Sequence, residues 1–170
     1  LASTGRYDVR VATTCALDHS TWANELPEGE SREGAITIHR FAAKAPSRLG
    51  LAFSYYAMRS PRARDVLERL SWRESMVRSP DLASFIRRAG PSFGAIVAAP
   101  YLFGTTTDAA SEAPDRTVLI PCLHDEPAAH MAHVGRMLRS VRARIFNTDP
   151  ERDLARRLHG ADAANGPVIG

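Results

Sequence analysis

The chain has 170 residues, 44% of them hydrophobic and 24% charged, with a formal net charge of +3. That length holds one domain with a sizeable core, and the composition reads as soluble and globular rather than disordered or fibrous. The charge is too small to argue for nucleic acid, and no apolar run approaches a transmembrane span.

In chain order, Leu1-Ala-Ser-Thr-Gly5 reads as the last turn of a helix closed by a left-handed glycine. Tyr7 to Thr14 alternates and is rich in valine, which predicts a strand. Cys15 to Glu33 has no periodicity and is expected to be a long loop. Ala35 to Phe41 is a second strand. Residues 49 to 59 are apolar and aromatic and predict a helix. Ser60-Pro61 is a helix-start signal for a segment running from Arg62 to Val77. Ser79-Pro80-Asp81 opens another helix, closed near Ala89 by Gly90-Pro91.

Phe93 to Ala98 is a third strand, followed by a turn at Pro100-Tyr101-Leu-Phe-Gly104 and a short helix before Ala113. Arg116 to Leu123 is the fourth strand, Ala128 to Val141 a helix, and Ala143 to Phe146 the fifth strand. Thr148-Asp-Pro-Glu151 is a capping-box start for a helix that ends at His159-Gly160. Val168-Ile169 begins a sixth strand. Strand–helix alternation over most of the chain predicts an α/β fold: a Rossmann-like, doubly wound, mostly parallel sheet.

The stretch Val118-Leu-Ile-Pro-Cys-Leu-His124-Asp125-Glu126-Pro127 carries the strongest chemical signal. An apolar run of strand length stops at a histidine, two acids and a proline, and a helical segment follows. In open α/β sheets ligands bind beyond the carboxyl ends of the strands. This pattern places His124 and Asp125 at the mouth of a site. His124 would contact a bound ligand or cap the next helix. Asp125 and Glu126 would favour the helix start electrostatically, and Asp125 could also orient His124.

Trp22, Asn24 and Glu25 lie in the long loop leaving the first strand. Loops of this kind carry binding residues, although a tryptophan there also pins its own loop. Tyr101, after the third strand, is a candidate for the same cleft or for loop packing. Asn147 and Thr148 end the fifth strand, where they can cap a helix or present N–H groups to a phosphate. His124, His130 and His133 suggest a metal site, but their spacing fits no strong zinc motif, so the last two are expected to be exposed helix histidines and no metal is expected. Cys122 lies inside an apolar run and is not read as a nucleophile. Cys15 and Cys122, with no visible secretory signal, point to a reducing, cytoplasmic setting.

Of 22 basic residues only Lys44 is a lysine. Many arginines fall in helical segments, where solvated faces account for them. The sharper reading is contact with an anionic membrane surface at the inner face or with a phosphate-bearing ligand. The stretch Leu51 to Tyr56 with Met58 is either helix–helix core or a membrane-facing or acceptor-tail surface.

Taken in order, Leu1-Ala-x-x-Gly5-x-x-Asp8-Val-x-Val-x-Thr-Thr-Cys15, Thr21-Trp-Ala-Asn-Glu-Leu-Pro27, Pro121-Cys-Leu-His-Asp-Glu-Pro127 and Ile145-Phe-Asn-Thr-x-x-Glu151 resemble the amino-terminal domain of GT-B glycosyltransferases, specifically the family-4 retaining sugar-nucleotide enzymes of bacteria. The resemblance implies two Rossmann-like domains. The first binds mostly acceptor, the second binds a nucleotide-sugar donor, and transfer to an acceptor hydroxyl occurs in the cleft between them. It implies no obligatory metal and no cofactor beyond the nucleotide-sugar co-substrate. A histidine at the end of a first-domain strand faces the transferred sugar in this family, and His124 matches that position. The family's glycine-rich loop would fall before Leu1, and its paired-glutamate donor motif belongs to the second domain. Residues 1–170 are thus expected to form a single acceptor-side domain without its first strand and helix, inactive alone. The rivals are a non-catalytic binding or regulatory domain on a Rossmann-like frame, and a metal-dependent hydrolase using the histidine cluster.

Overall fold

Two small sheets organise the chain, one in each half. In the first, β1 (Val9–Thr14) runs parallel to β3 (Ile36–Phe41), with Val11 opposite Ile38. The intervening β2 (Gly29–Glu33) pairs antiparallel with β3, giving the order β1-β3-β2. In the second, β4 (Ile96–Ala98), β5 (Thr117–Leu119) and β6 (Ala143–Arg144) are all parallel with β5 in the centre. The computed structural model describes residues 2–60, 62, 66–68 and 75–170. It is a mixed α/β fold with small parallel sheets.

Hydrogen bonding thus divides the expected continuous sheet into two three-stranded ones, and the expected loop from Cys15 to Glu33 contains a strand. β2 reads Gly-Glu-Ser-Arg-Glu and has no apolar alternation, because it is an edge strand exposed on both faces. Its stabilisation comes from backbone pairing. A two-residue turn joins it to β3, with Gly34 at φ +59° in the first central position, where such hairpins favour glycine.

The strands of the second sheet are shorter than their apolar runs. The ladder at Val118–Leu123 ends after Leu119, although Ile120 still donates its N–H to the Ala98 carbonyl at 2.9 Å. Pro121 has no N–H to give, and Cys122 adopts φ +53°, which turns the chain out of the strand. Val168 makes a single parallel bridge to Phe146 instead of a sixth strand.

The helices follow their local signals. In α1 (Arg48–Arg59) the Ser47 hydroxyl accepts from the Gly50 N–H at 2.9 Å. In α2 (Pro80–Ala89) Ser79 caps Leu82, and Pro80 occupies the first turn, where it forfeits no bond. α3 spans Gly104–Glu112. The segment expected as one helix from Ala128 to Val141 splits into a 3-10 turn, Pro127–His130, and α4 (Ala132–Ser140), separated by extended Met131. α5 (Asp149–His159) carries acids in its first turn, bases in its last, and Gly160 at φ +89° beyond it. Gly5 has the expected left-handed φ, +65°, after a 3-10 turn at Ala2–Thr4. The helix expected from Arg62 to Val77 falls largely outside the described residues; Val66, Leu67 and Glu68 are helical.

The main core lies around the second sheet. Leu119, Leu123, Val134, Leu138, Phe146 and Leu154 are buried together, with Tyr101 and Ala57 of α1. A smaller cluster of Leu82, Ile86 and Ala113 packs with Ala12, Phe41, Phe85 and Ile96, so α2 joins the two sheets. Phe85 stacks near both His39 and Phe41, at centroid distances of 4.7 and 5.4 Å. Each fully buried side chain of this size contributes roughly 1.5–3 kcal/mol by leaving water.

Candidate functional site

Because β4, β5 and β6 are parallel, the segments that follow them emerge at one edge of their sheet. The segment after β5 turns at Cys122. A left-handed backbone at a residue with a Cβ costs about 1–2 kcal/mol, and tertiary bonds on both sides hold it. The Pro121 carbonyl accepts the Tyr101 N–H at 2.9 Å. On the other side the Leu123 N–H donates to Glu151 Oε1 at 2.8 Å.

Glu151 is the strut of this edge. It is 6% exposed, and its second oxygen, Oε2, accepts the Asn147 N–H at 2.6 Å. One buried carboxylate therefore ties the ends of β5 and β6 to the first turn of α5. The expected cap is present, since the Thr148 hydroxyl accepts from the Glu151 N–H at 3.2 Å. The Glu151 side chain does not return to Thr148, however, and satisfies Leu123 and Asn147 instead.

The result is an open hollow of about 560 Å³. Cys122 to Asp125 form one side, Asn147 and Thr148 the next, and Leu154 and Arg157 of α5 close it. His124 is exposed here, and no hydrogen bond holds its ring among the described residues. Asn147 Nδ2 lies 3.6 Å from the Cys122 sulfur. Imidazole, amide, hydroxyl and guanidinium groups around an apolar floor suit a hydroxyl-rich or anionic ligand. Such a surface fixes a ligand's orientation through hydrogen bonds.

Four expected site residues, His124, Asp125, Asn147 and Thr148, come together in this hollow. The others do not line it. Asp125 pairs with His130 Nε2 at 2.9 Å rather than orienting His124. Tyr101 is in the core, and its hydroxyl donates to Glu126 Oε1 at 2.7 Å. Burial, then that bond and the Glu126 charge, push the phenol well above its ordinary value. Tyr101 therefore braces the segment bearing His124 and offers no cleft-facing hydroxyl; Glu126 is its acceptor.

Trp22, at φ +54°, packs edge-on against Phe103 with ring centroids 5.6 Å apart, so it anchors its loop beside the segment after β4. The Asn24 side chain is consumed by the Ala43 backbone: Nδ2 donates to the carbonyl at 3.0 Å and Oδ1 accepts the N–H at 2.6 Å. Glu25 is exposed, and its own N–H is bonded to the Cys15 carbonyl at 3.0 Å.

His133 corrects an expectation. It is buried, and its Nδ1 lies 3.0 Å from Glu68 Oε1. Glu68, itself 1% exposed, also accepts the backbone N–H groups of Ala132 and His133. It thereby satisfies the start of α4, which has no cap of its own. Burial alone would raise the Glu68 pKa. The bonds from the His133 ring and from the Ala132 and His133 amides, with the His133 charge, outweigh it and hold the carboxyl below its usual range.

His130 and His133 thus face different partners, and the His124 ring has none among the described residues. Among the described residues no group of three or more His, Cys, Asp or Glu is placed to hold a metal ion. Sequence reasoning missed Glu151 as a strut, Glu68 as a remote cap and Arg157 as a wall. Only Glu151 left a signal, an acid three residues after a capping threonine at a strand end. Among the described residues no helix is long and apolar enough to cross a membrane. The chain matches no protein-family model, no curated protein and no solved structure.

Proposed function

We propose that this chain is the acceptor-side part of a retaining GT-B glycosyltransferase, which moves a sugar from a nucleotide-sugar donor to an acceptor hydroxyl. The observation that carries the reading is the position of His124. Its exposed ring follows the central strand of a parallel sheet and borders a hollow shared with Asn147 and Thr148. The ordered likeness of Thr21 to Pro27, Pro121 to Pro127 and Ile145 to Glu151 to the family supports it further.

In this reading the chain's residues position substrate. His124 donates a hydrogen bond to the transferred sugar and holds its reacting carbon toward the acceptor. Asn147 and Thr148 contact sugar or acceptor hydroxyls, and Arg157 is within the same hollow to meet a phosphate oxygen. The donor-binding glutamates belong to a second domain, whose closure over the hollow excludes water. No metal step is required.

The test is transfer from nucleotide-sugars by the protein in its full reading frame. His124→Ala is expected to lower turnover about a hundredfold or more, as loss of a positioned donor does, with the circular dichroism spectrum unchanged. Undiminished turnover removes His124 from the mechanism. A reading frame that continues into an unrelated domain removes the transferase reading and leaves a binding module.

A further inference from the structure

Helix α1 is built inside out. The side facing the protein is mostly small: Gly50 and Ala57 are buried, and Ala57 lies in the main core with Met58 packed against it. The side facing solvent is apolar and aromatic: Leu49 is 73% exposed, Tyr56 65% and Phe53 46%, with Leu51 and Tyr55 beside them. A surface helix ordinarily turns charged residues outward, and a contiguous apolar patch of this kind marks an interaction site. The only charged residues of α1 are Arg48 at its start and Arg59 at its end.

Along the chain, the charge flanking the patch has one sign. No aspartate or glutamate occurs from Gly34 to Arg64. Lys44, Arg48, Arg59 and Arg62 are all exposed, and none has an ion pair among the described residues. The Arg59 guanidinium sits 4.1 Å from the centre of the Tyr55 ring, so its stem and that ring form one amphipathic rim.

We infer that the outer face of α1 docks the protein onto an anionic phospholipid surface, lying in the interface with Leu49, Phe53 and Tyr56 inserted and the arginines against the headgroups. Two features choose this occupant. A second copy packed on this face along the helix would set the arginines at the ends of α1 against one another, with no acid on α1 to neutralise them. At 12 residues α1 is too short to span a bilayer but suits an in-plane amphipathic helix. The inference is independent of the chemistry proposed above.

The experiment is sedimentation of the complete protein with phosphatidylcholine vesicles and with mixed phosphatidylcholine–phosphatidylglycerol vesicles, at low and high salt. Binding to the mixed vesicles alone, weakened by salt, is expected. Phe53→Ser with Tyr56→Ser should cut it more than about tenfold by removing two inserted rings. Arg48→Gln and Arg59→Gln should each cut it about fivefold. These side chains face solvent, so far-ultraviolet circular dichroism should match the parent and separate lost docking from lost folding. Equal binding to both vesicle types, no binding to either, or full binding by the Phe53/Tyr56 variant overturns the inference. Self-association abolished by that variant, without vesicle binding, assigns the face to a second copy instead.

Discussion

Glu151→Ala removes the carboxylate that joins two strand ends to a helix start, and its cost can be worked from the bonds it makes. Glu151 accepts the N–H groups of Leu123 at 2.8 Å and Asn147 at 2.6 Å while only 6% exposed. A buried amide left without an acceptor costs about 1–3 kcal/mol, so two cost about 2–6 kcal/mol. The Thr148 cap survives, because its hydroxyl bonds the backbone of position 151 and not the side chain. Glu151→Gln keeps one acceptor oxygen but turns an NH2 toward the second amide, so about half the loss is expected. The assay is urea unfolding, backed by thermal melting; for a chain of this length 1 kcal/mol moves Tm by about 2–4 °C. Hydrogen exchange gives a local readout: the Leu123 and Asn147 amides should lose protection in the alanine variant ahead of amides in α2. If both variants stay within about 0.5 kcal/mol of the parent, the range of an unremarkable surface change, the strut has no energetic role and the account of the site's rigidity fails.

Glu68→Gln should destabilise the protein by about 1–3 kcal/mol at neutral pH, since the bridge to the α4 amides and His133 loses one acceptor. The folded carboxyl is held below its unfolded value, so its contribution is complete above about pH 4.3 and drains away as pH falls through the folded value. The gap between parent and variant in unfolding experiments should therefore close in acid; a gap independent of pH would show that ionised Glu68 is not what holds α4. Gly104→Ala should cost about 1–3 kcal/mol or more, because a Cβ there would collide with the Val77 carbonyl oxygen, which is backbone and cannot swing aside. A neutral Gly104→Ala would mean that α3 and the Val77 segment are not in the close contact described.

Much of the secondary structure was readable because its causes are local. Thr148 and Glu151, Ser79 and Pro80, and the glycine after His159 act within four residues, and the structure places a start or a stop at each. The apolar stretch Val118 to Leu123 likewise announced a strand before His124, although the ladder stops at Leu119 and the turn at Pro121 and Cys122 intervenes. β2 was not readable: a polar edge strand is held by its neighbour's backbone, which leaves no mark on its own side chains.

Polar residues were legible as polar and no further. Asn24, Tyr101, His133 and Glu151 have the same local pattern whether they meet water, a ligand or a backbone group from elsewhere. Glu151 reaches Leu123 from 28 residues away, and Glu68 reaches the Ala132 amide from 64 away. Likewise the apolar residues of α1 announce a hydrophobic helix, but not that Ala57 and Met58 face the core while Leu49, Phe53 and Tyr56 face out. Which segments turn, cap and bury could be read along the chain, because those free energies are settled between near neighbours. Which polar groups are spent on the fold and which are left for a ligand is set in three dimensions, because it depends on what distant segments bring to the same place.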